Sequence, residues 1–301
     1  MKEALFKHDK VYAVVVTFYP NLEILSQCIK SLINQCEKIY LVDNTPGGFY
    51  KLEIFKNFNN IEIIYLKDNY GIAYAQNVGI KKALEENADY ILLSDQDTIY
   101  PVDFVEKMLE CFREEKVAAC GPLFVDLNSG DYSFFVIKTR LGFKRIYPKH
   151  GKHEVFQLIA SGTIINAKYL KDTGLMMEDL FIDWVDMEWC WRAVKKGYKI
   201  IGNADVTIKH YHGEKSKKLL HKNITLKNPI RIYYTIRNAI YLSLHSKVLS
   251  PFKRVLLLYK TLRNIFLYSI LSENRIETLK YAFKGLYHGI TKKLGKLNEQ
   301  S

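Results

Sequence analysis

Asp95-Gln96-Asp97 closes an apolar run, Tyr90-Ile91-Leu92-Leu93, and places two carboxylates one residue apart. In an extended chain such positions face the same way, about 6–7 Å apart along the strand. Two carboxylates cannot enter an apolar core without a balancing cation. The pair therefore marks either a divalent-metal site at a strand end or a solvated strand-to-turn junction. Which of the two holds depends on what else the chain brings to the same place. Thr17 and Asp43 close apolar runs of their own, and Asp68 follows another.

These residues need a scaffold of strands. Val11 to Thr17 is apolar and β-branched, as in a strand buried on both faces. A helical pattern follows Pro20-Asn21, with Leu22, Leu25, Ile29, Leu32 and Ile33 on one side. Lys38–Val42 and Ile61–Leu66 read as strands, Ala73–Leu84 as a helix, and Tyr90–Leu93 as a fourth strand. Pro101 opens a helix running to about Lys116, and Val117–Cys120 is a fifth strand. Alternating strands and helices predict an α/β fold with a mainly parallel sheet and helices on both faces. Ligands in such sheets bind beyond the carboxyl ends of the strands. Thr17, Asp43, Asp68, Asp95 and Asp97 all fall there, so the convergence says more than any one motif.

Beyond residue 121 the pattern changes. Tyr132–Thr139, Glu154–Ala160 and Thr163–Asn166 alternate like antiparallel strands, with Ser161-Gly162 between the last two. Phe181 to Arg192 reads as a helix whose stripe is Trp184, Met187, Trp191 and Val194, stopped by Gly197. At 100° per residue Asp186 lies about 120° from the centre of that stripe, where it can face a cleft. Tyr198–Ile201 and Val206–Ile208 are further strands, and segments 229–247, 251–271 and 273–294 are amphipathic helices. The expected division is an α/β domain over residues 1–228 and a basic helical extension over 229–301.

The net charge of +12 is uneven. From Lys209 onward there are 14 Lys and 5 Arg against 4 Glu, while the preceding residues hold 25 basic and 28 acidic side chains. An acidic partner for the C-terminal third is expected, either an anionic membrane surface or nucleic acid. The five cysteines show no CxxC pair, and the first ten residues lack an apolar core, which together favour a reduced, cytoplasmic setting. No run of 18 uncharged apolar residues predicts a membrane span.

Taken in order, Val14-Val15-Val16-Thr17-Phe18-Tyr19-Pro20, Leu41-Val42-Asp43-Asn44, Asn69-Tyr70-Gly71, Asn77-Val78-Gly79, Ser94-Asp95-Gln96-Asp97, the Phe181–Arg192 segment and His210-Tyr211-His212-Gly213 form an ordered set. That set resembles the family-2 inverting glycosyltransferases of the GT-A fold, in their rhamnosyltransferase-like branch, over roughly residues 10–240. The resemblance implies a nucleotide-sugar donor lying across the strand ends. Thr17, Phe18 and Asp43 would meet its nucleoside, and Asn69, Gly71, Asn77, Asp95, Gln96 and Arg237 would complete the donor site. Turn chemistry at Asp43-Asn44 and helix capping by Asn69 are the plain structural alternatives. Asp97, with Asp95 and His210, would hold Mg²⁺ or Mn²⁺, ions suited to hard oxygen ligands and phosphate; His212 is the alternative histidine. Asp186 is the first choice for the base that deprotonates the acceptor hydroxyl, with Asp183 and Glu188 as competitors. Relatives often carry Glu-Asp where this chain has Val185-Asp186, so the Asp is kept and the Glu is not. Acids at a helix N-terminus also simply complement its dipole.

The branch resemblance further implies dTDP-L-rhamnose as donor and a lipid-linked saccharide as acceptor, in bacterial surface polysaccharide assembly. The basic helices, with Tyr259, Phe266, Tyr268 and Tyr281, would then lie on the inner face of the plasma membrane; packing on the catalytic domain or on a second subunit is the alternative. A UDP-sugar donor is the nearest rival. A sugar-nucleotide nucleotidyltransferase would want a Gly-rich, Lys-bearing loop where Thr17-Phe18-Tyr19-Pro20 stands. A nucleic-acid binder would leave the strand-end acids without a role, so no nucleic-acid partner is expected. Oligomerisation is left open.

Overall fold

The computed structural model describes residues 9–127, 130–140, 142–211, 216–219, 222–225, 228–272 and 274–298. Contacts divide the chain into two compact units. The first comprises Met1–Lys138, Phe143–Met177 and Asp186–Tyr211; the second comprises Thr139–Gly142, Glu178–Val185 and His212–Ser301.

The first unit is built on a nine-stranded sheet. Its strands are β1 (Val11–Thr17), β2 (Lys38–Asp43), β3 (Ile61–Tyr65), β4 (Tyr90–Asp95), β5 (Thr98–Ile99) and β6 (Val117–Asp126). After β7 (Phe135–Thr139) and β8 (Gly142–Ile146), which form a separate two-stranded sheet, the larger sheet continues with β9 (Lys152–Glu154), β10 (Thr163–Asn166) and β11 (Lys199–His210). The spatial order is β3-β2-β1-β4-β10-β6-β11-β5, with β9 beside β11. β1 to β4 run parallel, β10 is inserted antiparallel between β4 and β6, and β11 returns parallel to β6. All seven residues of β1 are buried, as a central parallel strand requires.

Helix α1 (Leu22–Leu32) starts where Asn21 Oδ1 accepts from the Glu23 and Ile24 N–H groups. It buries Leu25, Cys28, Ile29 and Leu32 against the sheet core. Helix α2 (Ile72–Glu85) lies close on β1, because a Cβ at Gly79 would come within 2.4 Å of Val14 Cγ1. The helix expected from Pro101 is shorter: α3 spans Phe104–Leu109 and passes into a 3₁₀ turn, Glu110–Arg113. That turn brings Cys111 beside Cys120 of β6, with their Cα atoms 6.3 Å apart. Cys28, Cys36 and Cys190 are free and buried.

Three expected strands change character. Most of Glu154–Ala160 is irregular and touches β7 through a single bridge, Val136 to Gln157. Tyr198–Ile201 and Val206–Ile208 merge into β11, whose pairing with β6 shifts register between Asn203 and Thr207. Helices α4 (Ala167–Thr173) and α5 (Val185–Lys195) complete this part of the chain. The buried side chains of α5 include Trp189, Cys190, Trp191 and Ala193, so the expected Trp184/Met187 stripe is displaced.

The second unit holds a hairpin, β12 (Ser216–Leu219) with β13 (Lys222–Thr225), and three helices, α6 (Pro229–His245), α7 (Pro251–Leu271) and α8 (Arg275–Thr291). Ile232, Ile236 and Ile240 of α6 form its core with Ile265 of α7 and Ala282 of α8. Among the described residues no helix is long and apolar enough to cross a membrane.

Candidate active site

Strand register assembles the site. Thr17 pairs with Asp43, and Val16 pairs with Asp95, so the ends of β1, β2 and β4 lie level. On the far side of the sheet, β5 pairs antiparallel with β11 and sets His210 opposite Thr98. The Tyr211 N–H donates to the Asp97 carbonyl at 3.2 Å and fastens this pairing. One ligand atom each from Asp95, Asp97 and His210 lies within 4.8 Å of the other two.

This cluster suits a hard divalent cation. Asp97 Oδ1 is buried without a hydrogen-bond partner among the described residues, and it stands 3.4 Å from His210 Nδ1. A buried carboxylate oxygen left in this way is costly unless a cation or proton meets it. Burial pushes the Asp97 carboxyl up to about 6; nearby His210 opposes the shift and Asp95 adds to it. Two carboxylates and an imidazole form a donor set that Mn²⁺ or Mg²⁺ accepts while leaving positions for phosphate oxygens.

A chain of hydroxyls stands behind the cluster. Thr98 Oγ1 bonds His210 Nδ1 at 3.1 Å and Ser161 Oγ at 2.6 Å, while Ser161 Oγ accepts from the Asp95 N–H at 3.3 Å. Ser161 is buried, and Gly162 after it has φ +82° with no room for a Cβ beside Pro122 and Ile208. Only the Ser-Gly pattern hints at this support in the sequence; its partners come from three separate strands.

At the other strand ends the expected donor residues prove to be tied to one another. Asp43 is fully buried: Oδ1 accepts from the Thr17 and Thr45 hydroxyls at 3.0 and 2.7 Å, and Oδ2 from the Phe49 N–H at 2.6 Å. Thr17 and Asp43 therefore shape the loop after β2 instead of presenting atoms to solvent. Gln96 brackets the Phe18 backbone, accepting from its N–H at 2.8 Å and donating to its carbonyl at 3.3 Å. Asn69 Oδ1 accepts from Asn44 Nδ2 and from the Gly71 N–H, and Gly71 caps α2 with φ +87° and no side-chain bond. Phe18, Tyr19 and Tyr70 expose 43, 60 and 47% of their surface. Asn77 departs from expectation. It is buried and exchanges two 2.9 Å hydrogen bonds with the Met176 backbone, so it is a structural clamp and not a donor ligand.

The candidate bases separate clearly. Asp186 Oδ2 accepts from the Ala160 N–H at 2.9 Å and Oδ1 from the Met187 N–H at 3.0 Å. Burial pushes its carboxyl up to about 6; these backbone donors pull against the shift, and the charge of Asp95 adds to it. That influence places Asp186 within electrostatic reach of Asp95. Glu188 is buried in a two-oxygen pair with Arg192 Nε, both at 2.9 Å, and is occupied there.

In the second unit, Asp183 pairs with Arg231 at 3.4 Å and accepts from Thr235 Oγ1 at 2.9 Å. The expected helix start at Phe181 is replaced by a turn: Phe181, Asp183 and Trp184 have φ of +64, +62 and +70°. Asn238 Nδ2 holds that turn through the carbonyls of Leu180, Ile182 and Asp183, at 2.8, 2.8 and 3.0 Å. Arg237 is fully buried, donating to Asn238 Oδ1 and to the Asp179, Leu180 and Gly295 carbonyls. The donor contact expected of Arg237 is thus replaced by a grip on the segment preceding Asp186. His212 lies outside the described residues.

A cleft of about 340 Å³ lies at the start of β4, lined by Asp89, Asn166, Lys168 and Lys171 among others. It contains none of the candidate site residues, and the strand carboxyl ends remain the better site on chemical grounds.

Residues 13–174 match the family described as Glycosyl transferase family 2. The chain belongs to this family. The dTDP-rhamnosyl transferase RfbF of Shigella flexneri is 34% identical over 239 residues, covering 78% of this chain and 80% of that protein. A Methanococcus voltae enzyme, dolichyl N-acetyl-alpha-D-glucosaminyl phosphate 3-beta-D-2,3-diacetamido-2,3-dideoxy-beta-D-glucuronosyltransferase, is 22% identical over 237 residues, covering 71% of this chain and 70% of its own. S. aureus TarS 1–349, solved in complex with UDP-GlcNAc, superposes with a TM-score of 0.61 at 16% identity, covering 94% of this chain and 81% of that one. The fold is GT-A, and the protein is a rhamnosyltransferase-like family-2 glycosyltransferase.

Proposed function

We propose that this glycosyltransferase moves L-rhamnose from dTDP-L-rhamnose to a hydroxyl of a lipid-linked saccharide during assembly of a bacterial surface polysaccharide. The likeness to the Shigella dTDP-rhamnosyl transferase over most of both chains carries the choice of donor. The Methanococcus relative, whose name specifies a dolichyl-phosphate-linked sugar, supports a lipid-linked acceptor. Work on such an acceptor belongs on the cytoplasmic face of the plasma membrane.

The residues divide the reaction between them. Asp95, Asp97 and His210 would hold Mg²⁺ or Mn²⁺ at the diphosphate end of the donor. Such an ion, when bound, supplies Lewis-acid stabilisation of the charge that gathers on the leaving nucleoside diphosphate. Asp186 takes the proton of the acceptor hydroxyl. The acceptor oxygen bonds to the anomeric carbon opposite the leaving oxygen as the old C–O bond breaks, so one displacement inverts configuration. The capping end of α2 and the exposed rings of Phe18, Tyr19 and Tyr70 would orient phosphate and base.

A UDP-sugar donor is the second reading, favoured by the shared fold with the UDP-GlcNAc-bound TarS structure. Thermal-shift measurements with nucleotide sugars and Mn²⁺ or Mg²⁺ separate the two. Stabilisation by dTDP-L-rhamnose and none by UDP-sugars is expected; the reverse order would remove the rhamnose assignment.

A further inference from the structure

The second unit leaves two rows of large apolar side chains in water. In α7 the packed side is Lys253, Leu257, Thr261 and Ile265. Roughly opposite, at 100° per residue, run Phe252, Val255, Tyr259, Leu262, Phe266 and Ile270, with exposures from 46 to 66%. In α8, Gly285 and Gly289 bring the helix so close to α6 that a Cβ at either would come within 2.7 Å of an α6 carbonyl oxygen. The outer side of α8 carries Ile276, Leu279, Phe283, Tyr287 and Ile290, all exposed. Both rows therefore face away from α6. Tyr268 and Tyr281, expected among the exposed aromatics, instead pack inward against the α6 core and Phe181.

A single exposed leucine or tyrosine is ordinary, but a continuous helical row of them marks a surface that meets an apolar phase. Charge selects which one. α6, α7 and α8 together contain nine Lys and Arg and one acid, Glu277. Exposed Arg263 borders the row on α7, and exposed Lys280 borders the row on α8. A second copy of this chain would bring like charge against like charge. An anionic bilayer satisfies the rows and the cations together. α7 carries four basic residues, so it suits the interface plane and not a crossing, and its 21 residues extend about 31 Å along that plane.

We propose that the outer rows of α7 and α8 dock this protein on an anionic lipid bilayer, rings and aliphatic groups at headgroup depth and Lys/Arg on lipid phosphates. The proposal extends the lipid-linked-acceptor reading, yet its test uses lipid alone and leaves donor binding as a separate measurement.

The experiment is flotation of the full chain with phosphatidylcholine vesicles, with and without phosphatidylglycerol, at low and high salt. Binding should require phosphatidylglycerol and weaken as salt rises. A Val255→Ser/Tyr259→Ser/Phe266→Ser variant, altered only at exposed positions, should bind at least about tenfold more weakly while its thermal shift with dTDP-L-rhamnose is unchanged. Arg263→Glu/Lys280→Glu should lose the phosphatidylglycerol preference. Absence of flotation at low salt would overturn the proposal, as would wild-type flotation by the triple variant. A concentration-dependent dimer dispersed by the triple variant, with no vesicle binding, would assign the rows to a second copy and also overturn it.

Discussion

Asp97 Oδ1 and His210 Nδ1 approach to 3.4 Å although their residues lie more than a hundred positions apart, and the antiparallel pairing of Thr98 with His210 is what brings them together. A two-residue strand after the Asp-Gln-Asp turn thus brings an imidazole beside the acids. The buried, unsatisfied Asp97 oxygen gives that pairing a chemical purpose.

Asp186→Asn should reduce kcat by roughly 10²–10⁴-fold, the range for loss of a general base, with donor affinity little changed. Asp183→Asn should keep most of the turnover, because Asp183 is engaged by Arg231 and Thr235. Steady-state kinetics of the two variants decide the assignment; the opposite ranking would transfer the base role to Asp183.

The pH profile follows from the same carboxyl. Burial raises Asp186 to about 6, so below that pH it already holds a proton and cannot take one from the acceptor. kcat/KM should fall as pH drops through about 6, and the limb should move lower when a bound cation offsets the charge of Asp95. The sign for stability is opposite. The folded state holds this proton more tightly than the unfolded chain, whose aspartates titrate near ~3.9. The group's contribution to stability therefore declines as pH rises from there to about 6. A rate profile with no acid limb in that region would contradict the role given to Asp186.

Asn238→Ala removes the donor shared by three carbonyls of the left-handed turn at 180–183. Leaving them unsatisfied should cost about 1–3 kcal/mol of stability. Turnover should fall further than donor affinity, because that turn leads directly into Asp186. Parallel losses of kcat and donor binding would instead indicate general unfolding.

Gly79→Ala puts a methyl group where Val14 Cγ1 stands. Overpacking of this kind costs about 1–3 kcal/mol, read as a lowered thermal midpoint, with the Asp95/Asp97/His210 group unaffected. An unchanged midpoint would show that α2 can move off the sheet.

Much of this architecture is legible in the sequence, for a physical reason. β1 announces itself because its seven side chains are all buried and therefore all apolar or small. The Asp-Gln-Asp turn and the strand-end acids follow from the same alternation. The turn at 181–184 is hidden, since left-handed φ values at Phe, Asp and Trp leave no mark in residue type and the segment reads as helix. Asn77, Asp43 and Arg237 belong to the right motifs, but their roles depend on partners from Met176, Phe49 and Gly295, which no local pattern reveals. Ser161 is missed for the same reason: its partners Asp95 and Thr98 are more than sixty positions away.

Asp95, Asp97 and His210 would hold a divalent cation at the donor diphosphate. Isothermal titration of dTDP-L-rhamnose with Mn²⁺ or with EDTA, on wild type and Asp97→Ala, tests it most directly. Wild-type affinity should rise at least about tenfold with Mn²⁺, a gain of ~1.4 kcal/mol, and the variant should show no such gain. Equal wild-type affinity in Mn²⁺ and EDTA, with full transfer activity in EDTA, would contradict the claim.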